Sequence, residues 1–150
     1  MKLAIGCDHR GYVLKEFLKQ ALSNKYDKTY EIVDVGCYSQ DSVDYPNIAL
    51  NLAKIIKEDV EHNLGIIICG SGIGVSIAVN KFNFIRGALI YNNAVAKSAK
   101  NHNNANVMCL ASDYTNEAQA LTYLETFLSE KFEGGRHINR VKALENLAKI

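Results

Sequence analysis

The sequence predicts an α/β protein in which helices cover both faces of a five-stranded parallel sheet. Two observations carry that prediction. Short apolar runs of strand length alternate five times with segments of helical period. The runs are also nearly continuous in apolar residues, as strands buried on both faces of a parallel sheet are. Right-handed crossovers between such strands build a three-layer α/β/α sandwich of Rossmann type. A chain of 150 residues, 48% hydrophobic and 22% charged, has the size and composition of one domain, residues 1–150, that buries its core without disulfides or metal staples.

The elements follow in order. KLAIGC (2–7) is the first strand, and residues 12–24 form a helix with Val13, Leu14, Phe17, Leu18, Ala21 and Leu22 on one face and lysines opposite. EIVDVG (31–36) is the second strand, followed by a helix over 47–62 that the only proline, Pro46, helps to start. LGIIIC (64–69) leads into a helix over 74–80, RGALIY (86–91) into one over 93–101, and NVMCLA (106–111) into one over 116–131. A last helix runs from about residue 138 to the end.

Composition excludes several classes of function. The net charge is +1 with no block of like charges, so neither nucleic acid nor a membrane surface is an expected partner. The apolar run in MKLAIGCDH is too short for a signal peptide, and no stretch of about 18 apolar residues occurs. Cys7, Cys37, Cys69 and Cys109 lie at least 30 residues apart without a C-x-x-C pair, which reads as reduced thiols rather than a zinc or redox motif. The expectation is a cytoplasmic protein that binds a small ligand.

Ligands of such sheets bind beyond the carboxyl ends of the strands. Two of those ends are rich in chemistry, Asp8-His9-Arg10-Gly11 and Cys69-Gly70-Ser71-Gly72-Ile73-Gly74. Cys7, Cys37 and Cys109 read as core thiols. Cys69 has two readings: a small apolar residue closing the strand, or a thiol under a glycine-rich turn. Glycines let the backbone approach a ligand, and N–H groups gathered at a helix start favour a thiolate and a developing oxyanion. Asp8 could cap a helix or, with His9, take part in acid–base work or anion binding. His62 reads as a surface or capping residue, and His102 lies in the polar cluster NHNNAN (101–106). Arg136 and Arg140 stand four apart in EGGRHINR (133–140), as a phosphate clamp or as solvated helix charges. The glycine string is neither a Walker loop nor a dinucleotide fingerprint.

With these residues in view, the chain resembles the sugar-phosphate isomerase family that holds ribose-5-phosphate isomerase B and the galactose-6-phosphate and allose-6-phosphate isomerases. The resemblance runs essentially end to end, through GCDHRG (6–11), VDYP (43–46), IICGSGIG (67–74), NKF (80–82), IRG (85–87), HN (102–103), NV (106–107) and EGGRHINRV (133–141). It implies aldose–ketose isomerisation of ribose 5-phosphate and ribulose 5-phosphate through an enediolate, with no metal or organic cofactor. By the same resemblance Cys69 is the proton-moving base and the backbone of Gly70, Ser71, Gly72, Ile73 and Gly74 holds the oxyanion. His102 is the ring-opening acid, Asp8 and Ser71 are polar supports, and Asn103 contacts the sugar. His9, Arg136 and Arg140 anchor the phosphate.

The family also implies a homodimer or a dimer of dimers whose sites draw on both subunits. One position departs from the pattern: where members often carry a phosphate-holding arginine, this chain has Asp113. A carboxylate aimed inward would repel a phosphate, so either Asp113 faces away or the anchor is reduced to His9, Arg136 and Arg140. Cys69 favours the ribose type, because galactose-type subunits tend to lack that cysteine. The alternatives are a hexose 6-phosphate isomerase and a non-catalytic sugar-phosphate sensor on the same fold.

Overall fold

The computed structural model describes residues 1–147. Within them, strands β1 (Lys2–Cys7), β2 (Glu31–Asp34), β3 (Leu64–Cys69), β4 (Gly87–Leu89) and β5 (Val107–Ala111) form one parallel sheet in the order β2-β1-β3-β5-β4. The helices are α1 (Tyr12–Tyr26), α2 (Tyr45–Glu58), α3 (Ile73–Val79), α4 (Asn93–Asn101), α5 (Glu117–Ser129) and α6 (His137–Leu147). A short 3₁₀ turn, His9–Gly11, joins β1 to α1. The chain runs outward from β1 to β2, then returns to the other side of β1 for β3. The carboxyl ends of β1 and β3 therefore flank a point where the winding reverses, the usual place for a ligand in an open α/β sheet.

The strands alternate between two cores because successive side chains point to opposite faces. Leu3, Ile5, Cys7, Ile66, Ile68, Met108 and Leu110 pack with Leu14, Leu18 and Leu22 of α1 and with residues of α4 and α5. Ala4, Ile67, Cys69, Val107 and Cys109 face the other way, onto Ile48, Leu52 and Ile56 of α2 and Val75 and Val79 of α3. Every residue of β3 and β5 is buried, which accounts for the unbroken apolar runs of the inner strands.

Every expected element is present, but α2 ends at Glu58 rather than at 62 and β2 at Asp34 rather than at 36, and three further differences are of physical interest. β4 is only three residues long, an edge strand paired on one side with β5. α2 begins at Tyr45, with Pro46 in its first turn, where a missing N–H costs nothing. The third difference is Lys15. It lies on the α1 face expected to carry solvated lysines, yet its side chain is fully buried. Its ammonium donates to Asp34 Oδ1 and Oδ2 at 2.8 and 2.7 Å and to the carbonyl oxygen of Cys37 at 2.7 Å. Burial alone would raise the Asp34 carboxyl, but the hydrogen bonds from Lys15 and Lys19 more than offset it and hold the group below its usual range. No helix among the described residues is long and apolar enough to cross a membrane.

Candidate active site

Asp8 follows the last residue of β1 and turns the chain. Its N–H donates to Ile68 O at 3.0 Å, tying the two strand ends together. Its carboxylate Oδ1 accepts the N–H groups of Arg10 and Gly11 at 2.9 and 3.1 Å, so Asp8 caps the 3₁₀ turn. His9 opens that turn, and its Nδ1 is buried without a hydrogen-bond partner. An unpaired buried acceptor or donor next to a polar loop is what an added ligand would satisfy.

Beside it, Cys69 ends β3. Its side chain is 5% exposed, scarcely more than the core thiols, so burial alone does not set it apart. The backbone does. The N–H of Gly72 donates to Cys69 Sγ at 3.1 Å. This turn requires Gly72 at φ 72°, in the left-handed region, and a side chain there would strike Leu89 and the backbone of Leu110. Ser71 Oγ accepts the N–H of Ile73 at 3.3 Å and braces the same turn.

Two residues whose roles local pattern left open reach this loop. The guanidinium of Arg10 lies against the Cα of Gly70, and the Tyr45 ring and hydroxyl lie against Gly74. Tyr45 stood within the VDYP motif with no role attached. Asp113 does not face away from the loop: its N–H donates to Gly70 O at 3.0 Å, and its carboxylate accepts from Arg10 at 2.5 Å. Its charge is met by Arg10, whose partner is 103 residues distant in sequence and so invisible to local pattern.

The remaining site residues gather elsewhere. His102 caps the carboxyl end of α4, where its N–H donates to Ser98 O at 2.9 Å. Its ring stacks on that of His137 with centroids 4.6 Å apart and planes 13° from parallel. His102 Nε2 stands 3.9 Å from Glu133 Oε2. Burial, then repulsion from His102, Arg136 and Arg140, pushes the His137 imidazole below its ordinary value. Arg136 and Arg140 are exposed, and Arg136 precedes the first helical residue of α6 rather than lying on the helix face. Gly134 and Gly135, at φ 69° and 54°, make the turn that delivers this segment. Asn103 is exposed and lines a cavity of about 570 Å³ between β4, α4 and α6.

These two groups sit at opposite edges of the sheet. A helix between parallel strands returns the chain to the amino edge, and His102 precedes β5, which starts opposite Gly65. Cys69 pairs with Ala111 at the other end, four residues and about 13 Å further along the strands. Among the described residues no hydrogen bond, ion pair or ring contact joins the Cys69 group to the His102 group.

The sequence matches the ribose/galactose isomerase family over residues 3–144. It is similar to ribose-5-phosphate isomerase B of Escherichia coli, with 35% identity over 95% of this chain and 93% of that protein. Its fold is similar to ribose-5-phosphate isomerase B of Clostridium thermocellum, at a TM-score of 0.91 and 38% identity, covering 99% of this chain and 98% of the other. It is also similar to the Mycoplasma genitalium enzyme solved with bound ribulose-5-phosphate, at a TM-score of 0.92 and 35% identity, over 99% and 96% of the two chains.

Proposed function

The chain belongs to the ribose/galactose isomerase family, and from that premise we propose that it interconverts ribose 5-phosphate and ribulose 5-phosphate, with Cys69 as the base. The observation that carries the assignment is the Gly72 N–H donated to Cys69 Sγ at the β1/β3 switch point. Cys69 as a thiolate takes the proton from C2 of the open-chain aldose, leaving an enediolate. The same thiol returns the proton to C1 while the hydroxyl proton on O2 passes to O1, so that C2 becomes the carbonyl carbon and the product is the ketose. The turn formed by Gly70, Ser71, Gly72, Ile73 and Gly74 offers fixed N–H dipoles to the oxygen that gains charge. Proton transfer by a placed base gives about 10²–10⁴ in rate, so the turn supplies a further share.

His102 opens the sugar ring as an acid, Asn103 holds a sugar hydroxyl, and His9, Arg136 and Arg140 hold the phosphate. The opposite-edge placement of Cys69 and His102 supports a site completed by a second copy of the chain, which lays its His102, Arg136 and Arg140 against the Cys69 loop. The exposed Ile73 and Ile77, one turn apart on α3, are apolar surface suited to such a contact. The His9 Nδ1 without a partner gives the phosphate a group to meet on the Cys69 side.

A parallel assay of ribose 5-phosphate, allose 6-phosphate and galactose 6-phosphate with chelator present tests the assignment. Ribose 5-phosphate is expected to show the highest kcat/KM. Preference for a hexose phosphate would move the substrate by one carbon, and binding without turnover on all three would make the protein a sensor.

A further inference from the structure

Glu133 and His137 flank His102 in an arrangement that sugar isomerisation does not require. The donor atoms of the three side chains all lie within 4.8 Å of one another. From this cluster we propose that His102, Glu133 and His137 bind a divalent transition-metal ion of the zinc, cobalt or nickel kind, and that the bound ion inhibits the enzyme by occupying the ring of His102.

Two of the ligands, His137 and Glu133, are partly fixed in advance. His137 is 7% exposed and so held by its surroundings, whereas the His102 ring, stacked nearly parallel to it, has to turn out of the stack for both imidazoles to meet one ion. The N–H of Glu133 donates to Asn101 O at 3.0 Å, and Asn101 Nδ2 donates to Glu133 Oε1 at 3.2 Å. That leaves Oε2, the carboxylate oxygen facing His102, as the free donor atom. Asn101 itself is buried, with Oδ1 lacking a hydrogen-bond partner, so an unused acceptor lies beside the cluster where a metal-bound water could donate to it.

The donor set decides the kind of ion. Two imidazoles and one carboxylate suit zinc and its neighbours, whereas magnesium and calcium take oxygen donors. Tetrahedral zinc with bonds of about 2.0–2.1 Å needs donor atoms roughly 3.3 Å apart, so the cluster has to close by up to about 1.5 Å. His102 and Glu133 have side chains about half exposed and can turn to do so. The guanidinium groups of Arg136 and Arg140 add positive charge nearby, which sets the expected affinity in the micromolar rather than the nanomolar range. Inhibition rests on the acid role proposed for His102, whereas binding does not.

Calorimetric titration with Zn²⁺ and visible absorption with Co²⁺ test the site on the full-length protein. One ion per chain is expected, with affinity falling roughly 10–100-fold in His137→Ala and in Glu133→Gln. The exposed Glu133 keeps the test decisive if the buried His137 variant folds poorly. Cys69→Ser, which removes the thiol beneath the glycine turn as a competing soft ligand, is expected to bind as the parent does. Unchanged affinity in Glu133→Gln, or binding lost only in Cys69→Ser, would overturn the site. Isomerase activity is expected to fall in step with Zn²⁺ occupancy and to return with chelator. Occupancy without inhibition would overturn the inhibitory role, and a site that binds in a protein inactive on every sugar phosphate would sink the isomerase reading instead.

Discussion

Cys69 differs from Cys7, Cys37 and Cys109 by what surrounds it rather than by depth. All four are buried, and burial pushes the Cys7 and Cys109 thiols up. Only Cys69 lies under a glycine turn whose N–H points at its sulfur. Cys69→Ala is expected to fold normally and to lose about 10²–10⁴ in kcat, measured by conversion of ribose 5-phosphate. Near-normal turnover would remove the cysteine from the mechanism. Arg10 is the second residue to test. Its guanidinium neutralises Asp113 beside Gly70, so Arg10→Ala leaves a carboxylate facing an incoming phosphate. KM is expected to rise about tenfold with a smaller effect on kcat. Adding Asp113→Ala should bring KM back, and a double variant as weak as the single would mean that Arg10 holds the phosphate itself. The sequence alone made the cysteine and its turn legible, because strand, thiol and glycines are contiguous. It could not show the Arg10–Asp113 pair, which forms only when the ends of β1 and β5 are brought near the same loop.

Among the elements, helical period located the helices, and runs nearly continuous in apolar residues located the strands, unbroken only in the inner ones. What that pattern could not give is which charged side chains the tertiary structure draws inward. Lys15 was one such case, and Lys100 on α4 is another. Burial, then repulsion from Arg86, lowers the Lys100 ammonium to about 8, although its Nζ donates to Ala105 O at 3.1 Å and lies over the Phe127 ring. The unfolded chain keeps this proton up to about pH 10.5, so between pH 8 and 10.5 the unfolded state binds more protons and the native state gains stability as pH rises. Below pH 8 both states are protonated and the native state bears the cost of burying the charge, roughly 3 kcal/mol. Lys100→Met is therefore expected to raise the melting temperature at pH 7, and to lose that advantage by pH 10.5. A variant less stable than the parent at pH 7 would mean that the bond to Ala105 outweighs the burial of charge.

On the scale of the molecule, the fold holds the thiol proposed as base at one end of the sheet and the proposed acid and phosphate arginines at the other. The order β2-β1-β3-β5-β4 places Cys69 at the switch point, while the return path through α4 leaves His102 at the amino edge. A single chain with this topology separates the two proposed halves of the site, and a symmetric pair of chains could bring two complete sites together. Sequence motifs named both halves but could not say that they lie apart, because spacing along the chain carries no information about which edge a helix end reaches. Co-expression of Cys69→Ala and His102→Ala chains with different tags, and isolation of the mixed dimer, measures this directly. One of its two sites would combine both intact residues, so the mixed dimer is expected to isomerise ribose 5-phosphate at about half the parent rate while each pure variant is nearly inactive. A mixed dimer as inactive as its two parents would contradict a site shared between subunits with Cys69 and His102 as its base and acid.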